Sequence, residues 1–393
     1  MAELVAQTFL THDELRGLVP EWVDLYRCSR TRNPFAHPAW LVGWARHFVR
    51  DGELYVVTVR DVDRRLVGVA PFYKRRIAVG SIQMATQLDL LGARPDEGLI
   101  ELPQVLTARG NGRAVLRAVM AHLGQNLDLW DWVEVTLTPE QGWFEPLYLP
   151  RDPRRGRGFV VQKSTRTTVV MPLETSWASV KAGLRRNVKE SLRRGANRLK
   201  REGKSWDLST PTNQTELWMA LDTLAALHAQ RARLKGKEWH QNYFADERYF
   251  RFFVDVAPTL FHAGQLVPYT LRVEGQPVAS RLVLYANETV YFSASGMDPG
   301  WWHYCPATTL TGEVLQDAIA RGARGATLST GVDEAKLRWS EHIEQYPVFI
   351  MVQPRRRSAL AFQLFWQARA AVLVHRARRR FQLEHPDSSD SGP

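Results

Sequence analysis

Residues 54–73 read LYVVTVRDVDRRLVGVAPFY, and residues 266–285 read LVPYTLRVEGQPVASRLVLY. Each stretch has two runs rich in Val, Leu and Tyr on either side of a short polar turn, which is typical of a β-hairpin. Downstream, residues 113–137 and 308–330 each combine a helical pattern with a following strand pattern. The order hairpin, helix and strand therefore occurs twice, which indicates two tandem copies of one α/β unit. We expect the two hairpins to form equivalent strands of two similar sheets.

The length of the chain, 393 residues, also favours two domains, because a single core seldom grows beyond about 250–300 residues. The segment RDPRRGRGF, residues 151–159, is rich in Arg, Gly and Pro and is typical of a linker. We therefore predict an N-terminal domain over residues 1–157 and a C-terminal domain over residues 158–354. A basic amphipathic helix over residues 355–384 and a disordered tail over residues 385–393 complete the predicted organisation.

Composition and charge restrict the function further. Hydrophobic residues make up 45% of the chain and charged residues 24%, the ordinary balance of a globular protein. The formal net charge of +11 favours anionic partners such as coenzyme phosphates, RNA or a membrane surface. Because the N-terminus is acidic and no long apolar run occurs, we expect a cytoplasmic protein without a signal peptide. Cys28 and Cys305 lie far apart in the sequence, so we expect no disulfide and no metal site.

Other segments carry helical or strand patterns of their own. Helices are predicted over residues 13–28, 38–49, 176–202, 215–233 and 246–262, and strands over residues 163–171, 291–295 and 326–329. A further helix is expected to begin at Pro306, since proline suits the first turn of a helix. The predicted fold class is α/β, with helices flanking mixed sheets.

Four segments of the second half resemble one family, in the order in which that family carries them. They are LRRNVKESLRRGANRLKREG from Leu184, LHAQRARLKGK from Leu227, YFSASGMDPGWWHYCPATTL from Tyr291 and STGVDEAKLRWS from Ser329. This pattern resembles the GNAT-type acetyltransferase domain of the CelD-like proteins of cellulose biosynthesis, which is similar to the FemABX peptidyltransferases. The resemblance covers about residues 164–354, and NPFAHPAWLVGWARHF, from Asn33, extends it to most of the chain. It implies two tandem GNAT-like acyl-CoA N-acyltransferase domains and acyl transfer to an amine.

The resemblance places the acyl donor at the start of a helix. In GNAT folds a strand ends at a loop whose amides face the next helix, and a coenzyme pyrophosphate sits at that helix N-terminus. Here Ser295 ends the strand, and Ala307, Thr308 and Thr309 begin the helix, so these four residues are predicted to bind acyl-CoA, for example acetyl-CoA. The alternative, that Thr308 and Thr309 only cap the helix, stays open.

A lysine is the first candidate for the chemistry. Lys336 follows a strand end and a turn at Gly331, at the position where the family has its lysine. There the resemblance implies contact with substrate or with transition-state charge, which an ammonium group in a cleft stabilises. Family members often carry an acidic and an aromatic residue before this lysine, whereas this chain has Val332 and Ala335 around Asp333 and Glu334. A solvated surface lysine is the alternative.

The attacking amine must also lose a proton, and several side chains near these motifs are candidates for the base. They are His228, Asp333, Glu334 and His303. His228 falls in an apolar helical pattern, which equally fits a histidine at the edge of a core, and deprotonation through water is compatible with the fold. Arg231, His303 and Trp301 are the residues predicted to contact the acceptor.

The favoured function is an N-acyltransferase that moves an acyl group from acyl-CoA to an amine on a small molecule or on a peptidoglycan or polysaccharide precursor. The nearest alternative is a FemABX-like transferase that depends on aminoacyl-tRNA, for which the basic charge would serve a tRNA partner. A non-catalytic accessory protein of envelope polysaccharide assembly is a third, motivated by the altered residues around Lys336. The basic C-terminal helix adds the hypothesis of peripheral membrane contact.

Overall fold

The computed structural model of the chain describes residues 4–92, 101–138, 141, 151–152, 156–234 and 242–384. The predicted disordered tail lies outside the described residues, as do residues 235–237 of the LHAQRARLKGK segment and residues 153–155 of the predicted linker. Within the described ranges, thirteen strands form a mixed sheet flanked by helices, which confirms the α/β class. Residues 151–152 and 156–157 form a separate two-stranded sheet.

The strands of the described ranges follow here in chain order. They are β1 (Val5–Phe9), β2 (Leu54–Arg60), β3 (Leu66–Val79), β4 (Ile82–Leu90), β5 (Leu106–Thr107), β6 (Trp132–Thr136), β7 (Arg151–Asp152), β8 (Gly156–Arg157), β9 (Phe159–Pro172), β10 (Trp206–Ser209), β11 (Leu266–Val273), β12 (Gln276–Ala286), β13 (Thr289–Met297), β14 (Gly325–Thr330) and β15 (His342–Val352). The predicted hairpins are β2 with β3 and β11 with β12.

The α-helices of the same ranges agree with most of the predicted ones. They are α1 (His12–Ser29), α2 (Pro38–Phe48), α3 (Gly112–Gln125), α4 (Trp177–Gly183), α5 (Arg186–Arg201), α6 (Gln214–Ala232), α7 (Glu247–His262), α8 (Pro306–Ala320), α9 (Glu334–Leu337) and α10 (Arg356–Glu384). The prediction of a single helix over residues 176–202 is wrong. Leu184 and Arg185 adopt extended conformations between α4 and α5, because Leu184 turns into the core of the second half.

The strands of the large sheet have the same pattern of directions when they are counted from either edge. Its strand order is β1-β2-β3-β4-β6-β15-β9-β14-β13-β12-β11-β10, and β5 pairs with β3 beside this path. Counted inward from either edge, the fourth and fifth strands are parallel, while the other neighbours on the path are antiparallel. A pseudo-twofold axis therefore lies between β15 and β9, and the hairpins β2–β3 and β11–β12 occupy equivalent places.

The two halves exchange their last strands. β9 follows the first half in the chain but pairs with β14 of the second, and β15 ends the second half but pairs with β6 of the first. β9 also pairs with β15 along the whole length of β15. The expectation of two separate sheets is therefore wrong, because the exchanged strands hydrogen-bond to each other and join the halves into one sheet.

Side chains of the hairpins alternate between the two faces of the sheet, as strand geometry requires. On β2, Leu54 joins the core that contains α1 and α2, whereas Tyr55 joins the core under α3. On β12, Leu284 joins the first of these cores, and Val283 joins a separate core under α5 and α8. The core with α1 and α2 also contains side chains of α6 and α7, so both halves share it.

A glycine permits the close crossing of α2 and α7 in this shared core. A Cβ atom at Gly43 would lie 2.2 Å from Val256 Cγ1. Beside the crossing, the rings of Trp40 and Phe252 meet edge to face with centroids 5.0 Å apart. These contacts fix the first half against the second, and hence the relative position of any site between them.

Helix α10 follows β15 and packs at its start on the central strands. Phe362 is buried, and its ring lies 5.5 Å from that of Trp132 on β6. No helix in the described ranges combines the length and the apolar character that a bilayer crossing requires.

Candidate functional site

Strands β13 and β14 are parallel neighbours that pair only over three positions, which end at Tyr291 and Thr327. Beyond these positions no pairing continues between the two strands, which leaves a wedge between them. At the same level β13 carries a bulge, where Ser293 and Ala294 together oppose Leu282 of β12. A bulge takes backbone groups out of the ladder and redirects side chains, and bulges are frequent beside active sites.

A cavity of about 620 Å³ lies where this wedge meets the first half. Charged side chains dominate its described walls, with seven cations and four carboxylates. The cations are Arg75, Lys163, Arg166, Arg231, Arg281, Lys336 and Arg369, and the carboxylates are Asp89, Glu101, Glu134 and Asp333. Five residues predicted from the sequence line this cavity, namely Lys336, Asp333, His228, Arg231 and Ser295.

Lys336 holds the turn that follows β14. Its Nζ atom donates to Thr330 O at 2.5 Å and to Gly331 O at 3.2 Å, and it lies 3.0 Å from Asp333 Oδ2. Asp333 also caps α9, since its Oδ1 accepts from the Lys336 amide at 2.9 Å. The Lys336 side chain remains 22% exposed, so it faces the cavity while its ammonium group bonds to the turn.

Close contact between β13 and α6 positions three of the predicted residues. A Cβ atom at Gly296 would lie 2.3 Å from the backbone N of His228, so only glycine allows this approach. His228 Nδ1 lies 2.8 Å from Ser295 O, and its Nε2 accepts from the Tyr243 amide at 3.4 Å. Arg231 Nη1 donates to Ser295 Oγ at 3.0 Å.

Arg281 and Ser293 also line the cavity and were missed by the sequence analysis. Both Arg281 Nε and Ser293 Oγ are buried without a hydrogen-bond partner in the described part of the chain. Burial and the repulsion of Arg231 lower the pKa of Arg281 to about 10. The signal that could have found Arg281 is a lone charge inside the apolar run of β12.

Glu101 was also missed, and it reaches the site from the first half. Its carboxylate accepts from Tyr291 Oη at 2.6 Å, from Ser329 Oγ at 2.9 Å and from the Thr330 amide at 3.0 Å. Ser329 has φ of +73°, a left-handed conformation that is strained for a residue other than glycine. Glu101 thus holds the unusual end of β14 in place, and nothing local in its sequence predicts this role.

Two ion pairs line the side of the cavity that β3, β4, β6 and β9 form. Arg75 Nε lies 2.6 Å from Asp89 Oδ2, and Lys163 Nζ lies 2.6 Å from Glu134 Oε2. Burial raises the pKa of Asp89, and Arg75 opposes that rise. No cluster of three or more side chains suited to a metal ion occurs among the residues that the structure describes.

The predicted donor residues at the start of α8 lie outside the cavity. The amides of Thr308 and Thr309 donate to Cys305 O at 3.1 and 3.0 Å. Helix α5 covers this end of α8, because a Cβ atom at Gly195 would lie 2.5 Å from Tyr304 O. Ala307 packs partly buried against the core of the second half. Helix α8 therefore begins where predicted, but its N-terminus packs against α5 instead of facing the cavity.

Three further predicted residues are also separate from the cavity. Glu334 and His303 are exposed. Trp301 packs against Tyr304, with ring centroids 5.1 Å apart, and Lys204 lies over its ring. The structure therefore groups five of the eleven predicted site residues and leaves the other six elsewhere.

Comparisons with known proteins agree with the geometry of the second half. Residues 186–337 match the family described as the acetyltransferase (GNAT) domain. No curated protein matches the sequence. Among solved structures, the chain is similar to FemX, at 10% identity and a TM-score of 0.58, over 92% of this chain and 99% of that one.

Two other solved structures show a weaker likeness. A tandem GNAT protein from the clavulanic acid biosynthesis pathway has 12% identity and a TM-score of 0.44, over 90% of this chain and 99% of that one. L-PGS from Bacillus licheniformis has 11% identity and a TM-score of 0.46, over 88% and 93% respectively. At such identities the likeness concerns the fold, and the CelD-like type stays a prediction. The chain therefore has a GNAT-domain acetyltransferase-like fold, similar over most of its length to that of FemX.

Proposed function

We propose that the chain is an N-acyltransferase that transfers an acyl group to an amine in the cavity between its halves. The observation that carries the proposal is the wedge between β13 and β14, which lies in the matched GNAT domain and opens into this cavity. The bulge at Ser293 and Ala294 supports the same reaction, because backbone N–H groups outside the ladder are the donors that stabilise an acyl oxyanion.

In the proposed reaction the amine nitrogen attacks the acyl carbon of a thioester or ester. A C–N bond forms, the C–S or C–O bond to the carrier breaks, and the carrier leaves as a thiol or hydroxyl group with the proton that the amine gives up. Lys336 would stabilise negative charge near the end of β14. Of the candidate bases, Asp333 and His228 line the cavity and stay in the proposal.

Acyl-CoA is the first proposed donor, supported by the match to the acetyltransferase domain. Its pyrophosphate would bind at Thr308 and Thr309, and its acyl end would pass Ser295. Since α5 lies against this helix start at Gly195, the proposal requires α5 to move away when the coenzyme binds.

Aminoacyl-tRNA is the second proposed donor, and two observations favour it. The amides at the start of α8 are already bonded within the fold, which leaves no ready pyrophosphate site there. Helix α5 also exposes Arg193, Arg194 and Arg201, cations of the kind that contact a polynucleotide backbone. The FemABX resemblance stated above implies this class of donor.

A donor screen tests the proposal. The purified protein is incubated with a panel of amines and either radiolabelled acetyl-CoA or a charged tRNA pool, and labelled amide product is measured. Turnover with acetyl-CoA alone supports the first donor. Turnover that requires charged tRNA, and that falls steeply as salt rises, supports the second. No product with either donor overturns the proposal and favours the accessory role.

The acceptor is proposed to be a small amine or a precursor of peptidoglycan or polysaccharide, and helix α10 could bring the protein to a membrane that holds it. Leu360 and Leu364 lie one turn apart and are 57% and 49% exposed, beside the exposed Arg356 and Arg357. An apolar stripe flanked by arginines suits peripheral contact with an anionic bilayer.

A further inference from the structure

Arg281 is a cation without a counter-ion among the residues that the structure describes. It lies on β12 in the cavity wall, and its Nε atom is buried without a hydrogen bond among the described residues. Its one aromatic contact is with Phe292, whose ring centroid lies 5.1 Å from the guanidinium carbon. The nearby charge is another cation, Arg231, and together with burial it lowers the pKa of Arg281. Burying an unpaired charge beside a like charge is unfavourable for the fold.

The carboxylates that line the cavity are engaged elsewhere. Asp89 pairs with Arg75, Glu134 with Lys163, and Asp333 with Lys336. Glu101 accepts from three donors at the end of β14.

Arg166 provides an informative contrast on the neighbouring wall. Its Nε atom also has no hydrogen bond in the described ranges, but Glu134, Glu101 and Asp89 all stabilise its charge. Arg281 has no such support from a carboxylate in the described part of the chain. The difference marks Arg281 as the cation of this cavity that is available to an anionic ligand.

Two other hydrogen-bond donors, Ser293 and Arg231, line the same cavity as Arg281. Ser293 is only 9% exposed, and its Oγ atom is buried, faces no partner in the described ranges and lines the same cavity. The residue opposite Arg281 in the ladder is Ser295, whose hydroxyl accepts from Arg231. Two guanidinium groups and a serine hydroxyl therefore converge on one region, and such groups together bind carboxylates and phosphates.

We propose that Arg281, Arg231 and Ser293 form a binding site for an anionic group, a carboxylate or a phosphate ester, carried by the amine acceptor. The anion pairs with Arg281, contacts Arg231 and accepts from the serine hydroxyl, so its binding removes the cost of the unpaired Arg281 charge. The assignment to the acceptor rests on the proposed transferase function, whereas the anion site itself does not.

Phosphate binding tests the site without any acyl donor. Titration calorimetry with inorganic phosphate in a chloride buffer of constant ionic strength is carried out on the wild type, Arg281→Met, Arg281→Lys and Arg272→Met. Arg272 is the matched control, since it lies on the adjacent strand β11 and bonds to Ser209 and Gly275 outside the cavity. We expect Arg281→Met to weaken phosphate binding at least about tenfold, Arg281→Lys to weaken it less, and Arg272→Met to leave it within about twofold. Equal weakening by Arg272→Met, or no weakening by Arg281→Met, overturns the site.

Thermal unfolding in phosphate-free buffer gives a second readout. Because Arg281→Met removes an unpaired buried charge and keeps most of the volume, its Tm should equal or exceed that of the wild type. Arg75→Met should instead lower the Tm, since it strands the buried Asp89 carboxylate. A Tm loss for Arg281→Met as large as that for Arg75→Met would show that Arg281 already has a partner and would refute the proposal.

Acetate titrations and transfer assays identify the source of the anion. Tighter binding of phosphate than of acetate indicates a phosphate ester, and the reverse order indicates a carboxylate. In the transfer assay, Arg281→Met should raise KM for an anionic amine about tenfold or more and leave KM for a neutral amine unchanged. Phosphate binding that depends on Arg281 in a protein without transferase activity would leave the anion site standing and remove its assignment to an acceptor.

Discussion

Replacing Glu101 tests whether a single carboxylate locks the two halves together at the site. Glu101 belongs to the first half and is 3% exposed, and its three hydrogen-bond donors all belong to the second half. Tyr291 is itself fully buried, so its hydroxyl has no access to water if the carboxylate is lost. The consequence of a substitution therefore depends on which donors the new side chain can still satisfy.

Glutamine preserves the contacts and removes only the charge. Its oxygen can accept from Tyr291 and from the Thr330 amide, while its NH₂ group donates to Ser329 Oγ. Neutral hydrogen bonds are about half as strong as charge-assisted ones, so Glu101→Gln should lower the free energy of unfolding by about 1 kcal/mol. Alanine leaves the Tyr291 hydroxyl and the Thr330 amide without acceptors, at about 1–3 kcal/mol each, so Glu101→Ala should cost about 4 kcal/mol.

Urea unfolding followed by tryptophan fluorescence measures both differences. Ser329→Ala is the matched control, because it removes one donor and leaves the carboxylate with its other two partners, for an expected loss under about 1 kcal/mol. The slope against urea should stay constant through the series, which would show that the native state keeps its compactness. If Glu101→Ala is no less stable than Glu101→Gln, the carboxylate does not satisfy these buried donors and the bridge between the halves fails as an explanation.

Three other predictions follow from the same structure. Lys336→Met should lower turnover about a hundredfold and leave donor affinity unchanged, whereas Lys181→Met, the same change at an exposed position of α4, should have no effect. Full turnover of Lys336→Met would make the lysine structural only. Gly43→Ala should lower the free energy of unfolding by about 1–3 kcal/mol, because the new Cβ atom would lie 2.2 Å from Val256 Cγ1. Adding Val256→Ala should recover part of this loss, and additive losses in the double mutant would refute the clash. Leu364→Glu should abolish sedimentation of the protein with anionic vesicles. Its Tm should stay unchanged, because this leucine is half exposed. Unchanged sedimentation would show that α10 is not the membrane contact.

The elements that the sequence predicts well are those whose pattern is local. Strands β2 and β11 are predominantly apolar segments bounded by turn residues, and helix α8 begins at a proline. Each of these elements is therefore determined by its own residues. β15 is different, since HIEQYPVFIMV begins polar and contains Pro347. Its place at the centre of the sheet depends on pairing with β9 and β6, which are distant in sequence.

The same distinction separates the site residues. Lys336 and His228 belong to segments with a family resemblance, and both reach the cavity. The roles of Glu101 and Arg281 depend on the neighbours that the tertiary structure brings to them. For Glu101 these are three donors from the other half, and for Arg281 the decisive fact is that no carboxylate of the described ranges pairs with it. The lone charge in the apolar run of β12 marks Arg281 as unusual, but whether a carboxylate pairs with it is a property of the tertiary structure.

The two wedges of the pseudo-symmetric sheet differ in how their charges are balanced. In the first half, β4 and β6 pair over only two positions, and the charged residues beside them are paired within the fold, Asp89 with Arg75 and Glu134 with Lys163. In the second half the equivalent wedge carries serines and the unpaired Arg281. A region that supplies its own counter-ions gains little electrostatic stabilisation from a charged ligand, whereas a region with an unpaired cation gains much. We therefore infer that the substrate binds at the second wedge. On this inference the first wedge is a rigid wall, and its buried ion pairs maintain the shape of the cavity in which transfer is proposed.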